Sequence, residues 1–309
     1  MSLADYANFS NYAVAAATIV LALSWLAYLA EWGFAREVAP RKELVGPGAS
    51  AAPVEGNEER SEVAGSIGTS LAGLSWLILL AGVVTRGIAA ERVPWGNMYE
   101  FACAAILVAL TAYLILVRAW GINWLGPIVT GVGVIVLGLS MLVYVPAGPL
   151  VPALHSYWLV IHVAGAMISG AAFLVGAGAS ALYLIKARAE RLTPEDERAG
   201  YLWKLPPSAA IDRIAYRVHA FAFPIWTFAA LIAGPIWAQY AWGRYWGWDP
   251  KEVWAFVTWV VYAGYLHARV TAGWKGKAAA IIALIGFATF VFNFVGVNIF
   301  VPGLHSYAK

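Results

Sequence analysis

Long charge-free stretches dominate this chain and dictate its architecture. A helix that crosses a bilayer needs roughly 20 mostly apolar residues. Windows of that kind run from Tyr6 to Ala30, Val63 to Thr85, Phe101 to Val117, Ala119 to Ile185, Val218 to Gly243, Val253 to Ala268 and Ala278 to Ala308. The fourth is too long for one span, and Pro146, Gly148, Pro149 and Pro152 interrupt it near the middle, where proline removes a backbone donor and breaks the helix. Split there, the pattern predicts an all-α, polytopic membrane protein of about eight transmembrane helices. Residues 1–65 form the first helix and a linker. Residues 66–309 form a seven-helix core that includes an outer loop at 237–252.

The polar positions between the windows predict orientation, because lysine and arginine near helix ends are retained on the cytoplasmic side. Of the 20 such residues, the loops after the first, third, fifth and seventh helices hold all but Arg86, Arg92, Arg244, Lys251 and Lys309. Both termini and the segment Trp242 to Lys251 are therefore expected on the outer, extracytoplasmic face. Glu37 to Glu62, rich in Gly, Ala, Pro and Glu, reads as a flexible linker. Thr193-Pro-Glu-Asp reads as a capped helix start. The first apolar run is long enough to stay as a span rather than be cleaved as a leader.

Composition narrows the functional classes. With 61% hydrophobic and 12% charged residues and a mean hydropathy of +0.71, the chain lacks the polar surface of a soluble globule. A net charge of +3 with scattered basic residues leaves no nucleic-acid footprint, and the expected surroundings are the lipid bilayer. The single cysteine, Cys103, excludes an internal disulfide, a redox pair or a thiolate cluster and reads as a small buried hydrophobe. Gly131, Gly133, Gly138, Gly165, Gly170, Gly176 and Gly178 predict close helix packing.

The candidate chemistry lies in the segment Trp242-Gly-Arg-Tyr-Trp246-Gly-Trp248-Asp249-Pro250. Trp237, Trp242, Trp246, Trp248, Trp254 and Trp259 crowd this region beside Tyr240 and Tyr245. A membrane-interface aromatic belt accounts for some of them. It does not account for aromatics interleaved with Gly243 and Gly247, which would let backbone approach a flat ligand. If the segment is helical, Trp242, Tyr245, Trp246 and Asp249 share one face, a stacking platform for a planar ring. Asp249-Pro-Lys-Glu252 also fits a helix N-terminus with Asp249 as cap, and the two roles are compatible.

Histidines inside membranes are costly and tend to be functional, although some only bond a neighbouring helix. On the predicted topology His155, His162 and His305 lie near the outer surface, level with the tryptophans. His219 and His267 lie near the cytoplasmic ends of sequential antiparallel helices. A ring gripped by two of the outer histidines would have bis-imidazole ligation, a common way to hold heme iron. Two levels of histidine suggest a route across the membrane, with an in-chain His219 to His267 pair as a minor alternative.

Taken together, Trp242-Gly-X-X-Trp246-X-Trp248-Asp249-Pro-Lys-Glu252, Tyr265-Leu-His267-X-Arg269, Leu304-His305-Ser-Tyr307, Trp158-Leu-X-X-His162-Val163 and Asn97-Met-Tyr99-Glu100 resemble the CcsA (ResC) component of System II cytochrome c biogenesis. This family handles heme through a tryptophan-rich WWD motif. The resemblance covers the chain from about Pro94 to its end. It implies a heme exporter within a cytochrome c synthase (heme lyase) complex, working with a CcsB/ResB membrane subunit. Heme b would be held without covalent attachment and delivered to Cys-X-X-Cys-His of an apocytochrome c, with room for a thiol-reducing thioredoxin-like protein. By the resemblance, His162 and His305 are axial ligands at the outer site. Trp242, Gly243, Trp246, Trp248 and Asp249 place the ring, and His267 ligates an inner heme with the partner. The implied location is a plasma membrane rather than a thylakoid. His155 and His219 receive no role. Heme delivery without synthase activity, and an unrelated secondary transporter, are the competing readings; the two halves show no convincing repeat of the kind that transporters carry.

Overall fold

The computed structural model describes residues 1–35, 54–150 and 154–305. Within them the chain is helical, with eight membrane-length elements. These are α1 (Leu3–Ala35), α2 (Val54–Ala90), α3 (Met98–Trp120), α4 (Asn123–Val143), α5 (Tyr157–Leu192), α6 (Ser208–Trp242), α7 (Pro250–Val270) and α8 (Lys277–Phe300). Seven are long and apolar enough to cross a bilayer. The exception is α7, whose 21 residues suffice in length but carry Lys251 and Glu252 at one end and His267 and Arg269 at the other. The break predicted at Pro146 to Pro152 separates α4 from α5, and Pro152 itself lies outside the described residues, as do Tyr307 and residues 36–53 of the predicted linker.

Two local readings are corrected. Residues 54–62, expected as linker, belong to α2, because their glutamates favour a helix that a search for apolar windows cannot see. Thr193 closes α5 instead of opening a helix, and only a single 3-10 turn, Glu195–Glu197, follows, without a side-chain cap.

Helix α5 is the axis of the bundle. Its most apolar stretch is 61% buried, against 28–39% for the other spans, and it packs on α3, α6 and α8 while α1 pairs with α2 and α7 with α8. Small residues permit these approaches: a Cβ on Gly170 would meet the Phe290 ring, and one on Gly176 the His219 ring, both within contact distance. Cys103 is buried in α3, in the same core as Tyr99 and Ile106.

Two helices are interrupted by π turns at the same end of the bundle. In α6 the turn spans Ala229–Ala233 and directly precedes Pro235, whose ring and missing N–H are incompatible with the α-helical ladder one turn back. In α8 it spans Phe292–Gly296. Such turns widen a helix and turn backbone groups away from their usual partners.

Candidate functional site

Both π turns border the main cavity among the described residues, which holds about 1010 Å³ of empty space, its open mouth included. α5 contributes His162, α6 contributes Trp237 and Trp242, the 243–249 loop contributes Trp246, and α8 contributes Asn293 and Phe294. Lys251 and Glu252 at the start of α7, and His305 beyond α8, complete the wall.

The protonation of His162 follows from its partner. Its Nδ1 lies 2.8 Å from the Ala229 carbonyl, the oxygen that also accepts the Gly234 N–H closing the π turn. A carbonyl can only accept, so Nδ1 carries the hydrogen and Nε2 keeps its lone pair. The His162 ring is nearly parallel to that of Trp237, 6.0 Å away.

His305 also packs near Trp237, 5.6 Å away between ring centroids, and 4.8 Å from Trp242, edge to face. Its Nδ1 lies 3.3 Å from Asp249 Oδ1. The carboxylate therefore favours the tautomer with hydrogen on Nδ1, the arrangement that orients a metal-binding imidazole. Burial works against the charge on Asp249. Hydrogen bonds from His305 and the Leu304 N–H outweigh it and hold the carboxyl below its ordinary range. Burial likewise pushes His305 below its ordinary value, opposed by the Asp249 carboxylate.

Asp249 also caps α7. Glu252 reaches back to accept the Asp249 N–H at 3.0 Å and the Gly247 N–H at 2.8 Å, closing a capping box. The cap read from the sequence is present, and the same carboxylate fixes His305, a contact the sequence did not suggest.

The remaining tryptophan segment departs from the helical expectation. α6 ends at Trp242 with Gly243 as a left-handed cap (φ 73°), and 243–249 is a loop. The expected four-residue face is therefore absent: Trp242 and Trp246 line the cavity, while Tyr245 is 61% exposed. Trp248, 65% exposed in a left-handed conformation (φ 57°), packs edge-on against Trp246 and Phe256 outside the cavity. Gly243 shapes the chain rather than lining the wall.

His155 is exposed in a side groove that shares Trp95, Leu154 and Leu159 with the cavity. At the other end of the bundle, His267 is exposed on the last turn of α7. His219 is 0% exposed among Phe173, Tyr262 and Tyr265, and neither of its ring nitrogens has a hydrogen-bond partner.

The structure gives Trp237, Trp246 and Glu100 surroundings that the sequence could not show, and adds Asn293. Trp237, 2% exposed, packs within 6.0 Å of both cavity histidines between ring centroids. Trp246 Nε1 and Asn293 Oδ1 on the cavity wall are buried without hydrogen-bond partners. Behind the wall, Glu100 is 1% exposed and binds Arg86 Nε at 3.0 Å, Arg92 Nη1 at 2.7 Å and the Gly96 N–H at 2.9 Å. Arg92 Nε continues to the Gly148 carbonyl at 3.0 Å. This ion cluster locks the loop carrying Trp95, and the start of α3 at Met98, onto the α4–α5 connection, which gives the Asn-Met-Tyr-Glu motif a physical role.

Residues 95–305 match the family model described as cytochrome C assembly protein. The chain belongs to this cytochrome c assembly family. Among its relatives are proteins named cytochrome c biogenesis protein CcsA. That of Prochlorococcus marinus (strain NATL2A) is 36% identical, covering 79% of this chain and 87% of its own. Those of Guillardia theta and Trieres chinensis are 36% and 34% identical, covering 77% and 72% of this chain and 83% and 80% of theirs. The fold is shared with a solved cytochrome c heme lyase, CcmF, at a TM-score of 0.64 and 16% identity. The match covers 94% of this chain and 46% of that one. The cytochrome c assembly family match thus spans every cavity-lining histidine, and the tryptophan loop between them.

Proposed function

We propose that the chain binds heme b non-covalently in the cavity, with His162 and His305 as axial ligands, and presents it to the Cys-X-X-Cys-His segment of an apocytochrome c. The observation that carries this reading is the pair of imidazoles lining one cavity beside Trp237, each with Nδ1 engaged by an acceptor so that Nε2 is the ligating nitrogen. The walls fit a planar apolar ring with polar edges. Trp237, Trp242 and Trp246 supply aromatic surface, and the unpartnered Trp246 Nε1 and Asn293 Oδ1 await partners from a ligand.

The chemistry is addition of a thiol to each heme vinyl group. A carbon–sulfur bond forms at one vinyl carbon and the thiol hydrogen goes to the other, so the cysteines must arrive reduced. The chain's contribution is proximity and orientation. Asp249 and Glu252 are committed to His305 and to backbone N–H groups, so neither is assigned a proton-transfer role. The acceptor's own histidine can replace one axial imidazole and so free the product.

This reading places the cavity on the outer face of a plasma membrane and pairs the chain with a CcsB/ResB-type subunit. The exposed His267 on α7 suits a second, inner heme whose other ligand comes from that partner. The test is to reconstitute the purified chain with and without a CcsB-type subunit, record the heme spectrum, and assay thioether formation on a Cys-X-X-Cys-His peptide. A six-coordinate bis-histidine spectrum and partner-dependent product are expected. Purified protein without heme overturns the reading, and bound heme without product reduces it to delivery.

The pH response carries a sign. Burial lowers the pKa of His305 below its ordinary 6.5, so the neutral, ligating form persists as pH falls through 6.5 and is lost only further into the acid range. Spectral titration should show six-coordinate heme intact at pH 6.5. A loss centred above that value contradicts the assignment.

A further inference from the structure

The mechanism above leaves one cavity cation unused. Lys251, the second residue of α7, is half-buried in the cavity wall with its ammonium 5.5 Å from the centroid of the Phe294 ring. The nearby carboxylates are turned to other duties: Glu252 to the N–H groups of Gly247 and Asp249, and Asp249 to Leu304 and His305. Among the described residues the Lys251 ammonium makes no hydrogen bond and no ion pair within 4.0 Å; the Asp249 carboxylate acts on its charge only from farther away. A cation held against aromatic walls at the end of a membrane bundle is costly unless an anion joins it. The same wall offers the buried indole N–H of Trp246, also without a partner. A cation and a neutral N–H donor carried by residues of one apolar cavity wall form the complement of a carboxylate on an otherwise flat, greasy ligand.

We infer that Lys251, aided by the Trp246 N–H, binds a carboxylate of the cavity ligand, which on the proposed reading is a propionate of heme. The inference rests on that reading and extends it to the orientation of the ring. Heme carries its two propionates on one edge and its two vinyl groups toward the opposite one. Two axial imidazoles fix the iron but leave the ring free to rotate about their axis. A carboxylate anchored at Lys251 removes that freedom and directs the vinyl groups away from α7, to where an acceptor peptide can meet them. Lys251 is thus a positioning residue that chooses which edge of the ring reacts.

The experiment titrates the purified full-length protein with heme and with heme dimethyl ester, in which both propionates are masked, following the six-coordinate absorption band. Wild-type protein is expected to bind free-acid heme about 10-fold or more tightly over the ester, the scale of one charge-assisted hydrogen bond. Lys251→Gln should lose that preference by weakening heme binding and leaving ester binding unchanged. Lys251→Arg should retain it, and Trp246→Phe should reduce it. No preference in the wild-type protein, or a full preference in a folded Lys251→Gln variant, overturns the inference while leaving the heme reading intact. Failure of both heme and ester to give a six-coordinate band in wild-type protein overturns the heme reading itself.

Discussion

His162→Ala and His305→Ala are each expected to abolish the six-coordinate heme spectrum and cytochrome c maturation while leaving the protein folded. The expectation of a folded variant comes from what each ring leaves behind. Without His162, the Ala229 carbonyl still accepts the Gly234 N–H. Without His305, Asp249 still accepts the Leu304 N–H at 3.0 Å and still caps α7. Neither substitution strands a buried polar group, the usual source of large destabilisation. The vacated space has the size and tautomer preference of an imidazole, so added imidazole should restore the spectrum and part of the maturation. Heme absorption and maturation assays with and without imidazole check both statements. Full maturation by either alanine variant without rescue would sink the ligand assignment.

Glu100→Ala is expected to be the more damaging change to the fold, though it lies behind the cavity wall. It removes the only carboxylate that Arg86 and Arg92 pair with among the described residues and strands charge at a site where Arg86 is itself buried. Breaking a buried ion pair from one side costs about 3–5 kcal/mol. The loss should also release the Gly96 N–H and loosen Trp95 and Met98 at the cavity rim, so heme content falls with stability. Glu100→Gln keeps an acceptor for Gly96 and should fall between. Thermal unfolding in detergent decides: an alanine variant as stable as the wild type removes the ion cluster from the account.

The architecture was legible wherever one physical effect dominated. Charge-free length marks seven spans, and the proline run at 146–152 marks the break between α4 and α5. Histidine position offered His155, His162 and His305, the family resemblance selected the last two, and those two line the cavity with Trp242 and Trp246. Hydropathy is blind to helix made of charged residues, hence the missed start of α2 at Val54. It is equally blind to the order among neighbouring tryptophans. Trp237 and Trp248 belong to the same tryptophan-rich segment, yet one is almost wholly buried and the other projects from a left-handed turn. The helical face predicted for 242–249 failed because Gly243 ends α6 there, and a glycine after an aromatic run is as compatible with a cap as with close ligand approach.

The π turns were also invisible to pattern, and they make the site depend on counting. Each accommodates one residue more than an α-helical turn, which rotates everything beyond it by roughly 100° relative to an unbroken helix. Trp237 and Trp242 lie beyond the turn in α6, and His305 follows the one in α8. Deleting a turn residue that does not line the cavity, such as Leu231 or Val295, would therefore keep every lining side chain and yet aim several of them elsewhere. Between His162's carbonyl partner and the last histidine, the site should tolerate changes of identity more readily than changes of number.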